Sequence, residues 1–137
     1  MKFLILNLLL SLIFAVDAKD CFETKTKIIF DKKSEFENII LCKKNTPDNM
    51  LYYVSKSCYQ DRCEILKRAK INLVIKNYTA NFGSPGFKLC DTLGGIPQIF
   101  DFQDQDKKWQ TSERCFFGQK DFVEISLLTS QWKESIR

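Results

Sequence analysis

The sequence predicts an α+β fold: a small disulfide-stapled domain, mainly antiparallel β, with one or two short helices. Three observations predict it. Six cysteines, an even number, all follow an apolar leader. Several segments of six to nine residues are rich in β-branched and aromatic residues and are separated by polar turns. One compact stretch, "GSPGFKLCDTLGG" (83–95), carries the start and stop signals of a short helix.

The leader is "MKFLILNLLLSLIFAVDA", residues 1–18. Lys2 gives it a positive end, an apolar run of about 14 residues follows, and Val16 and Ala18 stand at −3 and −1 of a cleavage site. The run is shorter than the roughly 20 residues of a spanning helix. The expectation is a cleaved signal peptide, a mature chain Lys19–Arg137, no transmembrane segment after cleavage, and a secreted or periplasmic location. Six cysteines in an exported chain of this size read as three disulfides.

The charge divides the mature chain. Residues 19–82 carry 13 Lys/Arg against 8 Asp/Glu, and residues 83–137 carry 7 against 8. The two halves, 19–82 and 83–137, are taken as a basic strand-rich N-terminal half and a helix-plus-meander unit. An anionic surface is a candidate partner of the first half. The densest basic run, Lys67 to Lys70, reads as a solvated face, with no nucleic-acid partner expected.

In the first half, 25–30 reads as a strand, 31–35 as a turn, 36–44 as a strand with Phe36, Asn38, Ile40 and Cys42 on one face, and 45–49 as a turn. Residues 50–58 read as a third strand. Residues 63–70 fit helix or strand, and 71–78 read as a strand. A hairpin turning near 33 brings Cys21 beside Cys42. One turning at 47 sets Cys42 opposite residue 52 and leaves Cys58 about 20 Å farther along, beyond disulfide reach. The layout favours Cys21–Cys42, Cys58–Cys63 and Cys90–Cys115.

In the quoted stretch, Ser84 can cap a helix, Pro85 suits its first position, and Phe87, Cys90 and Leu93 recur along an inward stripe. Gly94 and Gly95 end it. A helix this short is unstable alone, so Cys90 is its natural tie. Strands are expected at 96–102, 109–117 and 122–128, the last because Phe122, Glu124, Ser126 and Leu128 alternate with Val123, Ile125 and Leu127.

The combined pattern "GSPGFKLCDTLGG…RCFFGQKDFVEISLL" resembles a small exported bacterial domain of unknown function that often carries a haemolysin label. Pro85, Cys90, Gly94, Gly95, Cys115, Phe117 and Glu124 stand where that family has its proline, first cysteine, double glycine, second cysteine, apolar residue and acidic residue. Ser84 replaces the usual Asn, Gly118-Gln119 replaces Asp-Gly, and the family's trailing aromatic and extra cysteine are missing. The resemblance covers 83–128 and implies the fold unit and the Cys90–Cys115 pair, with no activity attached.

The chain has no histidine. That removes Ser-His-Asp and Cys-His catalysis, imidazole metal sites and histidine switches. Asp101, Asp104 and Asp106 lack the glycine and distal glutamate of a calcium loop, so they read as a solvated turn. No catalytic, metal or cofactor residue is expected, and Asn77-Tyr78-Thr79 is a glycosylation sequon. The expected function is that of a non-catalytic exported binding protein whose partner is a protein or envelope component. A membrane-active toxin or effector and a histidine-free glycan hydrolase are the alternatives.

Overall fold

The computed structural model describes residues 19–30, 32–60, 62–70, 85–118 and 120–135. The chain runs β1 (Cys21–Phe30), β2 (Lys33–Asn45), β3 (Leu51–Val54), α1 (Lys56–Tyr59), α2 (Glu64–Ala69), α3 (Pro85–Thr92), β4 (Ile96–Gln103), β5 (Trp109–Phe117), β6 (Asp121–Glu124) and α4 (Ile125–Ser135). The leader, the proposed strand 71–78, the sequon and Ser84 lie outside the described residues.

The strands form one closed antiparallel barrel in the order β1-β2-β3-β6-β5-β4. This corrects the α+β expectation: the architecture is a β-barrel, and its few short helices cover part of the outside. Two long hairpins, β1–β2 and β4–β5, supply most of the wall. They close because β1 pairs with β4 (Thr26 opposite Phe102, Ile28 opposite Phe100) and β3 with β6 (Val54 opposite Val123). Closure removes the free edge strands of an open sheet and encloses the inward side chains of all six strands. The three strands before residue 83 form one side of this wall and the three after it the other, joined at the β1–β4 and β3–β6 seams.

The barrel has two cores, one on each side of its wall. The inward face gathers Leu41, Phe100, Phe102 and Phe122, with Phe22, Ile28, Ile39, Tyr53 and Phe116 packed against them. The rings meet at 4.7 Å (Tyr53–Phe102), 5.3 Å (Phe100–Phe102) and 6.0 Å (Phe100–Phe122) between centroids. The outward face of β3, β5 and β6 offers Val54, Cys115 and Val123 to the helices, whose Ile65, Leu66, Leu89, Leu128 and Trp132 complete a second core.

Several local expectations are corrected. Strand β3 stops at Val54, and Cys58 belongs to α1. Cys42 lies opposite Val54, not residue 52. The open segment 63–70 is helical over Glu64–Ala69 because Ile65, Leu66 and Ala69 share a face buried in the outer core. The strand expected at 122–128 ends at Glu124, and α4 takes over. Ile125, Leu128 and Trp132 are buried at helical spacing, and this packing overrides the two-residue alternation.

Helix α3 ends in a Schellman motif. The Gly95 N–H reaches the Cys90 carbonyl at 2.9 Å, the Gly94 N–H reaches Asp91 at 3.0 Å, and Gly94 has φ +88°. A Cβ on Gly95 would collide with the sulfurs of Cys90 and Cys115, so this glycine lets the disulfide lie against the chain. The three bridges are Cys21–Cys42, Cys58–Cys63 and Cys90–Cys115.

Candidate ligand pocket at the barrel mouth

Strand β2 is 13 residues long and β3 only 4. The β2 stretch around 37–40 therefore runs on where β3 has already left the wall. Ser55 fixes the point of departure: its N–H bonds the Phe122 carbonyl at 2.9 Å, and its Oγ accepts the Phe122 N–H at 3.0 Å. The Cys58–Cys63 bridge then holds the departing chain in the outer core. What remains is a cavity of about 620 Å³ between β2, the Ser55–Gln60 segment and the β5–β6 turn.

Its lining is divided by chemistry. Ile39, Ile40, Phe116 and Phe122 make an apolar wall, while Lys56, Lys120, Glu37 and Asp121 bring charge. Arg114 also lines it. Strand alternation sends Ser112, Arg114 and Phe116 inward, opposite Phe100, Gln98 and Ile96 of β4. Arg114 is thereby held inside the barrel at 2% exposure, the largest fully buried side chain in the described residues.

Three phenylalanine rings surround the guanidinium, with centroids at 4.9 Å (Phe100), 5.2 Å (Phe116) and 4.8 Å (Phe122). Ring faces attract a cation, which offsets part of its desolvation. Its Nε donates to Gln98 Oε1 at 3.1 Å. Among the described residues, Nη1 and Nη2 donate to no protein acceptor, and no carboxylate forms an ion pair with this side chain. Burial pushes its pKa down to about 10, opposed by the field of Glu37. It stays cationic at neutral pH.

A second buried charge stands next to it in register. Glu124 lies opposite Arg114 and is held by the Tyr53 N–H and by Ser112 Oγ at 2.6 Å. Burial raises its pKa, and those two hydrogen bonds oppose the rise. Both carboxylate oxygens are thus committed to strands β3 and β5, so Glu124 acts as a wall tie. Ser57, at the rim, donates to Asp121 and ties α1 to β6.

Among the described residues, none of the site residues selected from the sequence lines this cavity. The six cysteines lie in or against the outer core, Gly95 is buried beside the Cys90 and Cys115 sulfurs, and Pro85 and Gly94 are exposed at the two ends of α3. Asp104 accepts N–H bonds from Asp106 (2.9 Å) and Lys108 (3.0 Å), and Asp101 accepts Thr111 Oγ1 at 2.6 Å; both organise the β4–β5 hairpin. In the basic run, Arg68 donates to the Leu93 carbonyl at 3.0 Å and lies 4.6 Å from the Phe117 ring, clamping α2 to the end of α3. The missed residue is Arg114. Its signal was a lone cation on the same two-residue face as Phe116.

No helix among the described residues is long and apolar enough to cross a membrane. Three disulfides point to an oxidising extracellular or periplasmic environment. No family model matches this chain, no curated protein matches its sequence, and no solved structure matches its fold.

Proposed function

We propose that this chain is a non-catalytic, exported binding protein that holds a small ligand in the mouth of its barrel. One observation carries the reading: a cavity of about 620 Å³ with an apolar wall and a buried cation that has donors to spare. Ligand sites are typically concave, mostly apolar, about 300–1,000 Å³ in size, with a few placed polar groups. The lining hydroxyls support binding over catalysis: Ser55 is bonded to the Phe122 backbone and Ser57 to Asp121. The three disulfides and the leader support export, with an envelope component or a small molecule as the partner.

The test uses anilinonaphthalene sulfonate, an apolar fluorescent anion, titrated into the oxidised protein. One saturable site is expected, and Ile40→Trp, at a half-exposed position of the wall, should abolish it without lowering the thermal midpoint. Unsaturable or unchanged fluorescence would contradict the reading.

A membrane-surface role is favoured by a different observation. Ile29 (56% exposed), Phe36 (58%) and Ile40 (49%) share the outward face of the β1–β2 hairpin. The Lys25 ammonium lies 5.0 Å from the Phe36 centroid. Apolar side chains beside lysines suit an anionic bilayer surface. Co-sedimentation with phosphatidylserine vesicles, lost in Phe36→Glu, would support it. Equal sedimentation of both proteins would remove it.

A further inference from the structure

We infer that the pocket ligand is a monocarboxylate carried on an apolar body, its carboxylate seated on Nη1 and Nη2 of Arg114. The inference rests on the binding reading above and names the ligand class for that site.

The argument begins with donors. A guanidinium has five N–H groups in a planar fork, and Gln98 takes only the one on Nε. The remaining four belong to the two terminal nitrogens, the end that meets a carboxylate through paired N–H···O bonds. A buried cation with unmet donors is costly unless an acceptor reaches it. Arg114 lines the cavity, so an acceptor can arrive from there. The Gln98 contact at Nε and the three surrounding rings fix the guanidinium before any ligand binds. Preorganisation of this kind lowers the entropy cost of binding.

Charge disfavours a dianion. The lining holds three cations, Arg114, Lys56 and Lys120, against two carboxylates, Glu37 and Asp121. Glu124, opposite Arg114 in register, brings the carboxylates around the site to three, so a dianionic phosphate would add twice the negative charge of a monoanion beside Glu37 and Glu124. The apolar body follows from the wall: Ile39, Ile40, Phe116 and Phe122 offer hydrocarbon and ring faces. The two lysines lie among the Lys56–Gln60 and Lys120–Phe122 residues of the lining, where they can draw an anion towards the opening.

The test is calorimetric titration of the oxidised full chain with dodecanoate, dodecanol and dodecyl phosphate, each below its aggregation concentration. Dodecanoate should bind at least tenfold more tightly than dodecanol, and more tightly than dodecyl phosphate. Arg114→Met keeps an unbranched apolar stem among the rings and should bring dodecanoate down to the level of dodecanol. Ile40→Trp leaves Arg114 in place and should weaken all three. Circular dichroism melts establish that each variant is folded, and if Arg114→Met is not, the wild-type ranking and Ile40→Trp decide alone. Equal binding of dodecanol and dodecanoate, lost in Ile40→Trp, would overturn the carboxylate while the pocket reading stands. Preference for the phosphate would overturn it in favour of a dianion. No binding of any probe would overturn both.

Discussion

Glu124 shows how a single buried charge couples stability to pH. Its pKa is raised by burial above the ordinary carboxylate value. The folded state therefore holds its proton to higher pH than the unfolded chain, and stability falls as pH rises from the ordinary glutamate range through the raised value. Glu124→Gln keeps an oxygen acceptor and removes the charge. The variant should be more stable than wild type at pH 7, with the gap closing as pH falls through the carboxylate range; denaturant unfolding from pH 4 to 8 reads both. A constant gap would mean that the charge carries no burial penalty. Gly95 gives a second residue-scale prediction. A methyl there meets the Cys90–Cys115 sulfurs, so Gly95→Ala should cost about 1–3 kcal/mol through overpacking. A thermal midpoint lowered by several degrees is the expected reading.

At the scale of elements, turn chemistry and hairpins were legible in the sequence, and the ends of strands were not. The hairpin reverses between Phe30 and Lys33, so the turn expected at 31–35 is shorter and residues 33–35 belong to β2, while Cys21 stands opposite Cys42 in the observed register. Phe36, Asn38, Ile40 and Cys42 do share a face, but only Cys42 is buried there. Alternation tells which residues share a face, and only the neighbouring elements decide what covers it. The same limit explains α4. "FVEISLL" alternates well enough for a strand, yet β6 has a neighbour in β3 only at Val123, and the residues after Glu124 gain more by packing Leu128 and Trp132 on the outer core. The β4–β5 turn offers a test of this level. Lys107 holds φ +63°, a left-handed conformation that strains a residue with a Cβ. Lys107→Gly should stabilise the protein by about 0.5–1 kcal/mol after glycine's own entropy cost. Asp104, bonded to the Asp106 and Lys108 amides, keeps the turn in register. Unchanged or lower stability in urea would show that the turn carries no such strain.

At the scale of the whole molecule, closure makes the two halves interdependent. Composition separates them at residue 83, but β1 leans on β4 and β3 on β6, and the cavity draws Glu37 and Ser55 from one half and Arg114 and Phe122 from the other. Removing the Cys90–Cys115 bridge should therefore be felt at the pocket. The bridge closes a loop of 25 residues, worth about 3 kcal/mol in the chain-entropy model. The double alanine variant should lose about 2–4 kcal/mol in one cooperative transition. Two separate transitions would indicate that the halves fold independently. The candidate site was nearly illegible in the sequence for the same reason. Arg114 is unremarkable among 21 basic residues until the barrel wraps Phe100, Phe116 and Phe122 around it, and those contacts come from strands far apart in the chain.

The most direct test of ligand binding at the barrel mouth is amide and arginine side-chain NMR of the oxidised protein during a dodecanoate titration. The expected shifts are confined to residues 37–40, 55–60 and 114–122, with the Arg114 guanidinium protons moving downfield as they gain an acceptor. Shifts confined to the β1–β2 hairpin or to the helical face, with the Arg114 guanidinium unmoved, would contradict the account.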